Sequence, residues 1–212
     1  MSEIDVRFFQ KVGAQTRLAD GSESQDRCDG TGAKVVTAAH GSYAEAVLRG
    51  NVNIVSNPVT GIAMGTALST TPPIAVWNPL GSGVVLSILK TTVAYLSGTL
   101  SYGVINYGTV IQATEPSGGT ALVPKNARSG RSRGLGRAYT GSTQTAATVL
   151  YTPYSFGPEA ATTALGITIA TDYVDGLVMI DPGYVFVMES TSAGAGTTPL
   201  CIMGIAWEEI TV

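Results

Sequence analysis

Charge is scarce in this chain of 212 residues: 12 basic and 15 acidic side chains make up 13% of it, against about a quarter in an ordinary soluble domain. The low charge excludes the disordered class, which needs low hydrophobicity and high net charge. A formal net charge of −3 excludes a globally basic nucleic-acid binder. The Ala-, Glu-, Lys- and Leu-rich composition of a helical bundle or coiled coil is absent too. Histidine occurs once, at His40, and cysteine twice, at Cys28 and Cys201. One imidazole and two distant thiols do not supply the usual ligand sets for zinc. Two cysteines make no disulfide framework, so both are expected as free thiols. Long apolar runs are missing as well. Between Asn51 and Thr114 the only charged residue is Lys90, yet Pro58, Pro72, Pro73 and Pro79 break the stretch. No window approaches the roughly 20 apolar residues of a membrane helix. Met1-Ser2-Glu3-Ile4-Asp5 carries neither a basic start nor an apolar core, so no secretory signal is expected. Synthesis in the cytoplasm, without a membrane span, is the expectation.

What the chain does have is glycine (26 residues) and many β-branched side chains. Residues 1 to about 32 are polar and mixed in charge and read as an extended arm, with a short strand around Val6–Phe9. Lys34–Ala39 is a candidate strand, Tyr43–Arg49 a helical turn or strand, and Val52–Val55 a short strand. Residues 61–71, uncharged and mostly small, read as extended chain. From Ile74 the pattern is plainly β. Val84–Leu96 is apolar at both parities, which predicts a central strand covered on each face. After a turn at Ser97-Gly98, Tyr102–Ile111 is read as its partner strand. Ala147–Phe156 is a strand that Pro153 assigns to an edge, and Leu165–Thr171 is a weaker one. Asp181-Pro182-Gly183 suits a type II turn between Leu177–Ile180 and Tyr184–Glu189, since Gly accepts the positive φ there. Leu200–Trp207 is the last strand. Short strands spaced by about ten residues predict an all-β antiparallel sandwich or jelly roll over 74–212, preceded by an arm and oligomerisation segment over 1–73.

The residues give little to chemistry. Any Ser-His-Asp or Cys-His triad would have to use His40, and Ser42 beside it lies on no nucleophile elbow. Asp20, Asp26 and Asp29, like Asp172 and Asp175, lack the twelve-residue calcium loop. Glu115, Glu159, Glu208 and Glu209 are the carboxylates for glycoside hydrolysis, but Glu208 and Glu209 adjoin on one strand and point to opposite faces. Gly134-Leu135-Gly136 lacks the third glycine of a phosphate-binding loop. No catalytic, cofactor or metal site is expected.

One constellation stands apart. Lys125, Arg128, Arg131, Arg133 and Arg137 fall within thirteen residues, and no acid occurs from Pro116 to Pro158. A solvated loop is the plain reading. The functional one is docking on an acidic protein surface, where arginine forks pair with carboxylates. Contact with nucleic-acid phosphate ranks lower, because the run holds no aromatic residue to stack on bases. The uncharged stretch from Asn51 to Thr114 cannot cover a wetted face without apolar patches, which mark interaction sites. A homo-oligomer follows, with residues 51–73 as the first candidate for the interlock.

Several segments together resemble structural proteins of tailed bacteriophages. They are His40-Gly-Ser-Tyr43, Arg49-Gly-Asn-Val52, Asn78-Pro-Leu-Gly-Ser-Gly83, Val84–Leu89, Asp175-Gly176, Pro182-Gly183 and Trp207-Glu208-Glu209. The resemblance spans about residues 38–209 and implies a virion component. It is similar in size and β character to capsid decoration or cement proteins, which are trimeric jelly rolls seated on the major capsid protein. That implies a non-enzymatic protein on the capsid surface with two partners, itself and the major capsid protein. The alternative is a head- or tail-fibre module that binds host glycan, with Trp77, Tyr139, Tyr151 and Tyr154 as the aromatic platform.

Overall fold

The computed structural model describes residues 41–98, 100, 102–156, 168–192 and 199–212. The arm, the candidate strands at 6–9 and 34–39, Cys28, His40, Asp20, Asp26, Asp29 and Glu159 lie outside them. Glu45–Val212 is one compact unit, an antiparallel β-sandwich of two sheets. A single turn and a half of helix, α1 (Ala44–Arg49), buries none of its residues. Its Arg49 bonds Glu45 one turn back at 3.1 Å.

In chain order the strands are β1 (Val52–Ser56), β2 (Ile62–Ala63), β3 (Ile74–Trp77), β4 (Val84–Ser97), β5 (Gly103–Ile111), β6 (Thr120–Leu122), β7 (Lys125–Asn126), β8 (Arg137–Thr140), β9 (Thr148–Phe156), β10 (Thr168–Tyr173), β11 (Met179–Ile180), β12 (Tyr184–Ser192) and β13 (Leu200–Thr211). The first sheet runs β10-β4-β13-β1-β7, with β11 also on β4 and β2 also on β13. The second runs β6-β8-β3-β12-β5-β9. Between them lies one apolar core, built around Trp207, Phe186, Tyr107, Leu86, Ile88 and Met203. Segment 51–73 contributes two strands to the first sheet, β1, as expected of Val52–Val55, and β2.

Strand β12 is covered on both faces, as is the short β3 beside it, whereas β4 is buried on both faces only over Leu86–Leu89. Every residue from Val185 to Ser190 is buried. Phe186 and Met188 point into the main core. Val185 and Val187 instead join Ala75, Trp77, Tyr139 and Ala147 in a second apolar layer outside the sheet. That layer is roofed by the loops on either side of the Ser117–Thr143 bridge. Trp77 Nε1 donates to the Gln112 carbonyl at 2.7 Å, and Gln112 Oε1 accepts from Thr145 N at 3.0 Å. Along the rest of its length β4, an interior strand of its own sheet, reads as two-faced for another reason. Trp207 pairs with Ile88 and Ala206 with Lys90, so Leu89 is an extra residue, a β-bulge. The bulge shifts the alternation by one. Val84, Leu86 and Ile88 face the core before it, Val93 and Tyr95 after it, while Ala94 and Leu96 stay half-buried on the far side.

Strand β5 corrects a second expectation. It does not pair with β4 across a turn at 97–98; it lies in the opposite sheet, between β12 and β9. The two strands meet through side chains instead, Tyr107 of β5 sharing a hydrogen bond with Thr91 of β4. The Asp181–Tyr184 turn has the expected form: Tyr184 N donates to the Asp181 carbonyl at 3.1 Å and Gly183 has φ of 83°. It carries the chain from β11 in one sheet to β12 in the other. Strand β9, with Pro153 inside it, is an edge as expected.

Candidate protein-docking site

The basic run is built into one end of the sandwich. At that end β3, β5 and β13 finish and β4, β8 and β12 begin, as the pairs Trp77–Arg137, Val185–Trp77, Tyr184–Ile111 and Thr211–Val84 record. Asn78, fully buried, ties the two sheets there: its Nδ2 donates to the carbonyls of Val84 at 2.8 Å and Ile180 at 2.9 Å. Lys125 and Asn126 form β7, the outermost strand of the first sheet, paired with Ile54 and Asn53. Arg137 opens β8 in the second sheet. The chain between them crosses from one sheet to the other.

That crossing is clamped at both of its ends. Three consecutive amides are held on the far side: Gly134 N donates to Asn53 Oδ1, Leu135 N to Glu209 Oε2 and Gly136 N to Glu209 Oε1, each at 2.9 Å. Trp207 Nε1 donates to the same Oε1 at 3.3 Å. Hydrogen bonds to an ionised carboxylate are the stronger kind. A Cβ on Gly134 would overlap the Glu209 carboxylate, so the close approach requires glycine there. On the near side Ala127 N donates to the Val52 carbonyl at 2.8 Å, and Asn126 Oδ1 accepts Arg128 N at 2.9 Å. Asn126 Nδ2 reaches the Gly50 carbonyl.

The five cations divide accordingly. Arg128 is half-buried and donates to the Leu48 carbonyl, fastening α1 to the crossing. Arg137 turns back on its own loop and donates to the Leu135 carbonyl at 2.7 Å. Lys125, Arg131 and Arg133 are exposed, and none of them is in an ion pair among the described residues. With Asn126, Ser129, Gly130, Val123 and Pro124 these three line a groove of about 480 Å³. The arrangement offers exposed cations to carboxylates or phosphates. Sequence reasoning found the cations but missed the groups that hold them, Asn53, Asn126 and Glu209. The one visible signal was Gly134-Leu135-Gly136, whose glycines serve packing on Glu209 and Trp207.

The other candidates fare differently. Trp77 is 7% exposed and Tyr139 5%. The Tyr139 hydroxyl donates to Glu115 Oε1, and burial raises its pKa. Tyr151 donates to Asp172 Oδ2 at 3.2 Å, and its pKa is pushed up to about 12, mainly by burial. Of the four proposed platform aromatics only Tyr154 is exposed. Asp175 sits in a tight turn with φ of 49°. Cys201 is a free, buried thiol whose pKa burial pushes up to about 12. Among the described residues no group of three His, Cys, Asp or Glu could hold a metal ion, and no helix is long and apolar enough to cross a membrane. Comparison with protein-family models, with curated proteins and with solved structures finds no match for this chain.

Proposed function

We propose that this is a non-enzymatic virion structural protein, a cement or decoration protein that binds the major capsid protein of a tailed bacteriophage and stabilises the shell. The single observation that carries the reading is the clamped basic groove. Lys125, Arg131 and Arg133 lie on a crossing whose two ends are fixed by Asn53, Asn126 and Glu209. A crossing fixed at both ends loses little backbone entropy on binding, and its exposed cations suit docking on an acidic protein surface. The phage assignment rests on the sequence resemblance. Assembly as a homotrimer belongs to the same proposal. Trimeric attachment multiplies weak contacts across neighbouring capsid subunits and raises avidity without a single strong site.

The test is compositional. In purified particles this protein is expected in a fixed, high ratio to the major capsid protein, and it should wash off as salt rises, because exposed charge pairs are screened. A handful of copies per particle, retained in high salt, would indicate a fibre and end the cement reading. Sedimentation of the isolated protein as a stable monomer at micromolar concentration would end the homotrimer part of it.

A further inference from the structure

The basic groove is one side of a larger surface. The same end of the sandwich also exposes apolar side chains on the turns that join its strands. Leu80, on the turn before β4, is 67% exposed, Ile111 at the end of β5 62%, and Val212, just past β13, 76%. Tyr184 pairs with Ile111, and Leu80 lies against Gly183, the residue before Tyr184. Leu135, in the basic crossing itself, is also exposed. These turns are not loose. Ser82 Oγ donates to Asn78 Oδ1 at 2.7 Å, Gly183 N to the Asn78 carbonyl at 2.8 Å, Gln112 N to the Gly183 carbonyl at 2.7 Å and Val212 N to the Gly83 carbonyl at 3.2 Å. Asp181 is the exposed carboxylate of the Asp181–Tyr184 turn. The end therefore has an apolar middle on rigid turns and, along one edge, Lys125, Arg131 and Arg133.

An apolar centre with a polar rim enriched in arginine is the anatomy of a protein–protein interface. Apolar side chains carried on fixed turns cost little backbone entropy when covered and gain the burial of their surface. We infer that the docking surface is this whole end of the sandwich. In it Leu80, Ile111 and Tyr184 anchor an apolar patch of the partner, while Arg131, Arg133 and Lys125 pair with carboxylates at its border. The partner is an acidic protein surface with an apolar centre. This rests on the reading that the basic loop docks on the capsid. The division of labour is specific: the cations set the encounter rate and its salt dependence, and the apolar anchors set the lifetime of the complex.

The experiment measures binding to DNA-free shells assembled from the major capsid protein without this chain. Three proteins are compared: the wild type, Arg131→Glu/Arg133→Glu and Leu80→Ser/Ile111→Thr. All four positions are exposed, so an unchanged melting temperature is expected and serves as the folding control. The apolar pair should weaken binding about a hundredfold or more, in the range of two interface anchors, through faster dissociation and with the salt dependence of the wild type. The charge-reversed pair should slow association and flatten the salt dependence. If the arginine pair loses binding while the apolar pair binds as the wild type does, the inference falls and the docking reading stands. If the wild type does not bind the shells at all, both fall. Tighter binding to duplex DNA than to shells would overturn both as well, since it would make phosphate the partner of the cations.

Discussion

Two glutamates on adjacent sheets perform the same structural task in opposite ways. Glu209, at the end of β13, holds the basic crossing, and both of its oxygens are used: Oε2 by Leu135 N, Oε1 by Gly136 N and Trp207 Nε1. Glu189, on β12, holds the segment between β2 and β3, where Ser69 N donates to its Oε2 at 3.1 Å and Ser69 Oγ at 3.4 Å. Its Oε1 is buried without a hydrogen-bond partner among the described residues. Glu189 is only 1% exposed, and burial, only partly offset by the two Ser69 bonds, raises its pKa. A carboxylate helps a fold when its lone pairs are met and costs free energy when one oxygen is dry and unmet. The first glutamate stabilises the loop it grips. The second fastens its segment at a standing cost in charge desolvation.

Removing the first grip carries the larger effect. Glu209→Ala leaves three N–H donors without their acceptor, and loss of charge-assisted bonds at a half-buried site costs about 2–3 kcal/mol. Chemical denaturation should record that loss, and the amides of Leu135 and Gly136 should lose their protection in hydrogen exchange. Gly134→Ala sharpens the point, because its Cβ displaces the same carboxylate. It should cost part of the same energy in the wild type and close to nothing in the Glu209→Ala background. Full additivity of the two would show that Glu209 is not the clamp.

The second grip predicts the opposite sign. A raised Glu189 pKa means that the folded state prefers the proton, so its contribution is fully present below the ordinary carboxylate value and declines as pH rises above it. Glu189→Gln keeps an acceptor for Ser69 and removes the charge. It should match the wild type near pH 4 and exceed it by about 1 kcal/mol at pH 8, in line with the net worth of one buried polar group. Melting curves of both proteins across that range measure this. A variant that is less stable at every pH would mean that the charge is welcome and the unpartnered oxygen is served by something else.

The contrast also explains which parts of the fold were legible in the sequence. The sandwich was, because β-rich segments spaced by turn formers such as Asp181-Pro182-Gly183 specify strands locally. Partnership was not. Val84–Leu96 has apolar residues at both parities because Leu89 is a bulge, and a bulge has no signature in one sequence. The short strands β6, β7 and β8 were illegible for a related reason: two to four residues such as Lys125–Asn126 carry no period, and they are strands only because β8, β1 and β3, respectively, lie beside them. The five cations could be read from the chain, since clustering is linear. That Arg128 and Arg137 serve the fold while Lys125, Arg131 and Arg133 face solvent depends on Leu48, Gly134 and Leu135 carbonyls, and Leu48 is distant in sequence. Glu209 and Asn53 meet the loop from more than seventy residues away in sequence, beyond the reach of any motif.

Ser69→Ala makes the finest cut between the two grips. It removes the longer of the two bonds to Glu189, at 3.4 Å, and the acceptor of Thr71 N at 3.2 Å, and leaves the Ser69 backbone N–H in place. The hydroxyl bond lowers the Glu189 pKa against the rise that burial causes, so its loss lets the pKa climb further. The stability change should be small, about 0.5 kcal/mol near neutral pH, because a neutral donor at the limit of hydrogen-bond distance contributes little. Its pH dependence is the informative part. Below the ordinary carboxylate value, where Glu189 is protonated in both folded and unfolded chains, the variant should differ from the wild type only by the constant loss of the Thr71 bond. It should then fall away more steeply as pH rises, and in the Glu189→Gln background that extra slope should vanish. If the slope persists there, the pH sensitivity belongs to another group, and Glu189 is a passive fastener like any buried glutamine.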